Sequence, residues 1–75
     1  MQVRKELKIE GLKSETDKAN LMSALLSISE VESVDVILEK GIVVLLLERD
    51  ISDDEIENKI EKLGYTLVSI FEVEV

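Results

Sequence analysis

The sequence contains no cysteine and no histidine, and it also lacks proline and tryptophan. The absence of cysteine excludes disulfide bonds, and the absence of both residues excludes a soft-metal site built from thiolate or imidazole ligands. Cysteine and histidine are also among the commonest nucleophiles and general bases of enzymes. We therefore expect a protein that is not an enzyme, carries no cofactor and has little use for soft-metal ions.

Basic residues are scarce relative to acidic ones. Nine Lys and Arg stand against seventeen Asp and Glu, which gives a formal net charge of −8. Such an average field repels phosphate backbones and anionic lipids, so nucleic acids and membrane surfaces are not expected partners. The ordinary role of the charge is to keep a small protein in solution, and the more specific alternative is attraction to a basic protein partner.

Long apolar runs and targeting segments are absent as well. The longest apolar run, Ile42–Leu47, has the length of a strand and falls well short of the roughly 18–20 residues of a membrane helix. The N-terminus lacks the basic-then-apolar pattern of a signal peptide, so we expect a cytoplasmic protein. With 75 residues, 45% of them hydrophobic, the chain has material for one core, and we expect a single domain over residues 1–75.

The first third of the sequence predicts a strand followed by a helix. Apolar and polar residues alternate from Val3 to Glu10, which is typical of a half-buried strand with a charged outer face. The face predicted to be buried carries Val3, Lys5, Leu7 and Ile9. Gly11 ends the strand. The apolar stripe of the helix consists of Leu21, Leu25 and Ile28, which recur at helical spacing.

The middle of the sequence predicts a β-hairpin. Alternation over residues 34–38 predicts a second strand, with Ile37 as an apolar exception on its outer side. A short turn follows at residues 39–41, in which Gly41 is free to take a positive φ. Ile42–Leu47 is the third strand, and because it is apolar on both faces we expect it in a central position.

The last third predicts a second helix and a final strand. Ser52 and Glu55 match a capping box at the start of this helix. Its predicted buried stripe is Ile56, Ile60 and Leu63. Gly64 is placed to end the helix with a positive φ, and residues 65–75 form the last strand.

The element order β-α-β-β-α-β is one strand–helix–strand unit repeated. This order predicts an α+β fold, the ferredoxin-like two-layer sandwich, with an antiparallel four-stranded sheet and both helices on one of its faces. Right-handed crossovers would place strands one and three in the middle of the sheet.

Three segments match the pattern of one known family in their order and spacing. Residues 7–12, Leu-Lys-Ile-Glu-Gly-Leu, match the strand that leads into a Gly-Met and Cys-x-x-Cys loop. Residues 24–38 match the run Ala-Leu-x-x-Leu-x-Gly-Val-x-x-Val-x-Val-x-Leu, with Glu30 in place of the glycine. Residues 55–65 match a second helix that ends in Gly-Tyr. On these segments, nearly the whole chain resembles the heavy-metal-associated domain family.

The resemblance implies the ferredoxin-like fold and a relation to copper chaperones, soft-metal sensors and N-terminal domains of metal-pumping ATPases. Those proteins bind Cu(I), Zn(II) or Cd(II) through two thiolates and pass the metal to a partner domain. The positions that match the family's metal loop are Gly11, Leu12, Ser14 and Asp17, with Tyr65 nearby. Ser14 and Asp17 replace the two cysteines, and their oxygen donors have little affinity for Cu(I). We therefore expect a degenerate domain that serves as a protein-interaction or regulatory module.

Two alternative functions stay open at this level. One is a metal-binding domain, related to metal transport, that uses oxygen ligands at Ser14 and Asp17. Helix capping explains the same two residues, and Ca²⁺ prefers about 6–8 oxygen ligands. The acidic residues 50–55 lack the spacing of an EF-hand loop and suit the positive end of a helix dipole. The other alternative is a dimeric regulatory domain of ferredoxin-like fold that senses a small molecule; an engineered origin also fits the four missing residue types.

One face of the sheet in a two-layer sandwich has no helices on it. The sequence leaves open whether this face carries the first or the second of two sets: Ile42, Val44 and Leu46, or Val43, Leu45 and Leu47. We expect a candidate interaction face of Ile37, Val44 and Leu46, joined by alternate residues of the last strand such as Val68 and Ile70. A contiguous exposed apolar area often marks a binding surface, which favours a protein partner, including self-association.

Other proteins of this topology are disfavoured by what the sequence contains. Acylphosphatases need an arginine-bearing phosphate loop after the first strand, and here Glu15 and Asp17 would repel a phosphate. RNA-binding domains of this topology need aromatic residues on the central strands, and the only aromatics are Tyr65 and Phe71.

Overall fold

A computed structural model of the chain describes residues 2–73. The elements are β1 (Val3–Glu10), α1 (Glu15–Leu26), β2 (Val31–Ile37), β3 (Ile42–Leu47), α2 (Asp53–Lys62) and β4 (Thr66–Val73). A 3₁₀ turn at Leu38–Lys40 joins β2 to β3. Glu74 and Val75, the end of the predicted last strand, lie outside the described residues. Within the described part, no helix is long and apolar enough to cross a membrane.

The four strands form one antiparallel sheet in the order β2-β3-β1-β4. This order confirms the prediction that the first and third strands are central. The buried residues of both helices belong to the same core as the buried residues of the sheet, so both helices cover one face. The fold is therefore the ferredoxin-like sandwich that the element order predicted.

Strand β3 presents a different apolar set to each side of the sheet. Val43, Leu45 and Leu47 are completely buried under the helices. Val43 pairs with Leu7 of β1, which is also completely buried, and paired residues of antiparallel strands point to the same face. The alternate residues, from Ile42 to Leu46, are only half-buried and face away from the helices. The structure thus decides a question that the sequence left open.

The helices are held to the sheet by a few large apolar side chains. Leu21 and Leu25 of α1 and Ile56 and Ile60 of α2 are completely buried. Burying a side chain of this size contributes about 1.5–3 kcal/mol each, which is substantial for a domain of this length. Leu63 was predicted to extend the stripe of α2, but 39% of it is exposed. The reason is that α2 ends at Lys62 and Leu63 is the cap residue, where the chain turns toward β4.

The capping hydrogen bonds at the starts of the two helices differ from those that the sequence predicts. At α1 both halves of a capping box form between Ser14 and Asp17, although Asp is not the usual partner. At α2 the bond that forms is the forward half only, with the Glu55 backbone N–H donating to Ser52 Oγ at 3.3 Å. Leu38, predicted to lie in the second strand, belongs instead to the 3₁₀ turn that Gly41 closes with φ +65°.

A bulge in β4 changes which residues face outward. The pairing with β1 shifts between Lys8 and Ile9, so that Val68 is the extra residue and is 52% exposed. After the bulge Ile70 pairs with Leu7 on the helix side and packs against the core. The prediction that Ile70 lies on the helix-free side was therefore wrong, because strict alternation from Val68 ignores the extra residue. Phe71, opposite Glu6, takes the outward position instead.

Candidate functional site

The loop between β1 and α1 is closed by hydrogen bonds among its own residues. Asp17 N–H donates to Ser14 Oγ at 3.2 Å, and Asp17 Oδ2 accepts from the N–H groups of Ser14 at 3.2 Å and Lys13 at 3.0 Å. Three backbone donors at the start of the helix are thereby satisfied by two side chains. The carboxylate also lies at the positive end of the helix dipole.

Tyr65 joins this loop from the other end of the chain. Its hydroxyl donates to Asp17 Oδ1 at 2.7 Å, so both carboxylate oxygens of Asp17 are engaged. The Tyr65 ring lies over Gly11, where an added Cβ atom would come within 3.1 Å of Cδ1 of the ring. Gly11 has a φ of +103°, so it serves both the turn and this close approach.

The charge states of the pair follow from the same bond. The hydrogen bond from Tyr65 lowers the pKa of Asp17, and the backbone donors of Lys13 and Ser14 lower it further. The hydrogen bond to Asp17 in turn raises the pKa of Tyr65. At neutral pH the arrangement is therefore an ionised carboxylate that accepts from a neutral phenol.

The structure brings together the residues that match the family's metal loop. Gly11, Ser14, Asp17 and Tyr65 are linked by the contacts described above. Leu12 is half-buried against the core, which is a packing role. The resemblance placed Tyr65 near this loop but did not give its hydrogen bond to Asp17, which joins residues 48 positions apart.

This loop does not fit a soft metal ion. The family resemblance calls for two thiolates, whereas the chain has no cysteine or histidine anywhere and offers a neutral hydroxyl and a carboxylate here. Both oxygens of the carboxylate already accept hydrogen bonds. Within residues 2–73, no group of three or more His, Cys, Asp or Glu residues is arranged to hold a metal ion.

A buried lysine organises the acidic residues at the start of α2. Lys5 is only 4% exposed, and its Nζ lies 2.7 Å from Asp53 Oδ1, 2.9 Å from Asp50 Oδ1 and 3.0 Å from the carbonyl oxygen of Ile51. Burial alone would lower the pKa of Lys5, but the hydrogen bonds to Asp53 and Asp50 outweigh it and the pKa is raised. Sequence analysis missed this contact; its signal was a lysine on the buried side of an alternating strand.

The face of the sheet opposite the helices is the second candidate site, and we call it the open face. The register arranges its side chains in three rows across β2, β3, β1 and β4. The rows are Ser33, Leu46, Arg4, Val73; then Asp35, Val44, Glu6, Phe71; then Ile37, Ile42, Lys8, Ser69. The predicted residues Ile37, Val44 and Leu46 all lie on it, and Ile37 is 43% exposed. Phe71, which is 63% exposed, is an aromatic member that the prediction left out.

Comparison with solved structures gives many close matches in fold. A CopZ metallochaperone is 32% identical, with a TM-score of 0.81 over 87% of this chain and 98% of that one. Oxidized MerP from Ralstonia metallidurans CH34 is 18% identical, with a TM-score of 0.82 over 93% and 97%. The N-terminal domain of ZntA in its Zn(II) form is 23% identical, with a TM-score of 0.79 over 87% and 88%. No protein-family model and no curated protein matches the chain.

The fold and the loop between β1 and α1 together define a small ferredoxin-like domain built like a metallochaperone. The chain belongs to the heavy-metal-associated domain family, as its 32% identity over almost the whole length of the CopZ metallochaperone shows. It is a member in which Ser14 and Asp17 stand at the positions that match the two cysteines.

Proposed function

We propose that this chain is a degenerate heavy-metal-associated domain that no longer carries metal and acts as a protein-interaction or regulatory module. The observation that carries the proposal is the self-contained loop, in which Asp17 is bonded to Ser14, Lys13 and Tyr65 at once. A metal ion would have to break these bonds and would receive only hard oxygen donors in return.

The remaining function is then contact with proteins. The fold of a metallochaperone is retained, and in the resembling family that fold docks onto a partner domain. The open face supplies a surface with exposed Ile37 and Phe71 that the helices do not cover. We propose this face as the contact surface, and a second copy of the chain as its first partner.

Catalysis has no place in the proposal. The relatives described above are metallochaperones and metal-binding domains, and the chain has neither the thiol nor the imidazole that most nucleophilic and acid–base mechanisms use. The cytoplasm is the proposed compartment, since the acidic composition and the likeness to metallochaperones fit a protein that works in solution.

The test is Cu(I) binding in competition with a chromophoric Cu(I) chelator under reducing conditions. We expect the unsubstituted chain to leave the chelator complex intact. The matched control is the Ser14→Cys/Asp17→Cys variant, which restores two thiolates at family positions and should withdraw one equivalent of Cu(I).

A second variant, Ser14→Cys alone, separates one thiolate from two and should compete only weakly. Circular dichroism of each variant checks that the fold is kept. A stoichiometric Cu(I) complex of the unsubstituted chain with sub-micromolar affinity would contradict the proposal.

A further inference from the structure

We propose that two copies of this chain pack open face to open face about a two-fold axis. The axis lies between the two sheets, runs across the strands and crosses β1 between Glu6 and Lys8. This inference rests on the proposed function, in which a second copy is the first partner of the open face, and adds the register in which the two copies meet. It is carried by the pattern of charge and shape on that face.

The outward side of β1 is self-complementary in charge. Its four residues alternate in sign in the order Arg4, Glu6, Lys8, Glu10. In a two-fold dimer each contact occurs twice, because residue i meets j and j meets i. With the axis between the two middle residues, antiparallel overlay sets Glu6 against Lys8 of the second copy and Arg4 against Glu10 of the second copy. All four contacts then join opposite charges.

Other positions of the axis lose this match. An axis at Glu6 would bring two copies of that carboxylate together and would set Arg4 against Lys8. Like charges placed opposite one another are unfavourable. An axis between Arg4 and Glu6 avoids them but keeps only two of the four opposite-charge contacts, so the alternation favours the axis between Glu6 and Lys8. Lys8 Nζ now donates to the carbonyl oxygen of Lys40, and an ammonium group has two further protons for a carboxylate.

The positions of the exposed apolar side chains and of the hollows on the face fit the same register. A shallow hollow of about 180 Å³ is lined by Glu6, Leu7, Lys8, Ile42, Ser69 and Phe71. The overlay places the exposed Phe71 ring above Ser69 of the second copy, inside that hollow. On the other side, Ile37 comes above Asp35 of the second copy, at a hollow of about 290 Å³ lined also by Val44 and Leu46. Between these two hollows, Ile42 of one copy meets Val44 of the other.

The distribution of net charge favours this face for contact between two copies. The three rows of the open face hold two cations, Arg4 and Lys8, and two anions, Glu6 and Asp35, and Glu10 adds one anion beyond them. The net charge of −8 therefore resides almost entirely on the rest of the molecule. Two copies that approach through the open face keep the strongly negative helix side apart.

The size of the face sets the expected affinity. Strands about 4.8 Å apart and side chains about 6.7 Å apart along one face give an area of roughly 20 by 20 Å. Face-to-face contact then buries on the order of 800–1,000 Å² in total, at the low end for specific association. We therefore expect a weak dimer that is seen at high concentration, with sheets about 10 Å apart and strands crossing at about 30°. The long side chains of Arg4 and Glu10 span the offset that this angle produces away from the axis.

The experiment is sedimentation equilibrium from roughly 10 μM to 1 mM, combined with backbone NMR over the same range. Glu6→Lys should weaken the dimer roughly tenfold, because the new lysine faces Lys8 of the second copy at two symmetric places. The control Glu61→Lys makes the same change of net charge on an exposed residue of α2 and should not weaken it. A general reduction of repulsion would instead strengthen association in both variants.

Rescue tests the register itself. The double variant Glu6→Lys/Lys8→Glu keeps the net charge of the natural chain and restores opposite charges at the axis, so its affinity should return. The pair Arg4→Glu/Glu10→Arg makes the same exchange at the outer contacts and serves if the first double variant does not fold.

Three results would overturn the inference, and each rules out a different part of it. A chain that stays monomeric at 1 mM removes self-association, while the Cu(I) result still stands or falls separately. Concentration-dependent shifts confined to the edges β2 or β4 would mean side-by-side pairing. A dimer whose affinity is the same in Glu6→Lys and in the double variant would mean contact through the face in another register.

Discussion

Asp17, at a position that matches a metal-binding cysteine of the resembling family, is a structural anchor in this chain. Its carboxylate joins the start of α1 to the residue that precedes β4, through the bond to Tyr65. A thiolate at this position would be a weaker hydrogen-bond acceptor, whereas a carboxylate can cap a helix and hold a phenol at once. The substitution thus removes one chemistry and supplies another at the same point of the fold.

The pKa shifts of this pair predict how stability depends on pH. The pKa of Asp17 is lowered on folding, so its contribution is present above about pH 4 and is lost as the pH falls through the folded pKa. The pKa of Tyr65 is raised, so its contribution is present below about pH 10 and is lost as the pH rises through the folded pKa.

The chain has one tyrosine, so phenolate absorbance reports Tyr65 alone. We expect it to titrate above the ordinary range in the natural chain and closer to that range in Asp17→Asn. Ser69→Ala, away from the loop, is the control. Tyr65 titrating like a free tyrosine in the folded chain would contradict the bond.

We expect removal of Lys5 and removal of its two carboxylate partners to change the free energy of unfolding by different amounts. Asp50 and Asp53 are more than half exposed, so removing the lysine leaves them in water, whereas removing both carboxylates leaves a buried cation without a countercharge. We expect Asp50→Asn/Asp53→Asn to cost about 1–3 kcal/mol in urea unfolding, and Lys5→Met to cost less. Equal losses would show that the buried ammonium group pays no extra cost when it loses its countercharges, and would contradict this asymmetry.

The raised pKa of Lys5 adds a dependence on alkaline pH. Its contribution is fully present below about pH 10.4 and disappears as the pH rises through the folded pKa.

At the scale of elements, alanine substitutions at Gly11 and Gly64 distinguish the cost of backbone strain from the cost of steric crowding. Gly11 and Gly64 both have positive φ, +103° and +92°, but only Gly11 has Tyr65 against it, while Gly64 has open space. Alanine at either position should cost about 1–2 kcal/mol from the backbone conformation. Gly11→Ala should cost more in urea unfolding, because its Cβ meets the Tyr65 ring, and equal costs would contradict the packing described here.

The elements were largely predictable because their signals are local. Alternation in β1, the apolar run of β3 and the helical spacing of Leu25 and Ile60 within their stripes each follow from residues close in sequence. The errors arose where a distant partner decides. Ile70 faces the helices because of a bulge against β1, and Leu63 is exposed because the helix ends before it. The Tyr65–Asp17 and Lys5–Asp53 contacts join residues 48 positions apart, and no local pattern contains them.

At the scale of the whole molecule, the two faces of the sheet differ in burial and in charge. One face lies under the helices in a single cluster of buried apolar residues from β1, α1, β2, β3 and α2 or their flanks, and Leu67 and Ile70 of β4 pack against this cluster. The other face is neutral or nearly so in a strongly acidic protein. This separation of charge suits the contact surface proposed above.

The single core predicts cooperative unfolding of residues 1–75 as one domain. Far-ultraviolet circular dichroism, which follows the backbone, and Tyr65 fluorescence, which follows one end of the sandwich, should give the same urea midpoint. Separate midpoints would show that the loop between β1 and α1 opens independently of the core.

The central claim, that the metal loop has become a self-contained hydrogen-bonded structure, is tested most directly by a backbone NMR titration under reducing conditions. Cu(I), Zn(II) and Ca(II) are added in turn while the amides of residues 11–18 and Tyr65 are followed, with Ser14→Cys/Asp17→Cys as the control that should respond to Cu(I). We expect flat spectra for the unsubstituted chain with all three ions. Saturable shifts in this loop at one equivalent of any ion would mean that oxygen donors have rebuilt a metal site, and would contradict it.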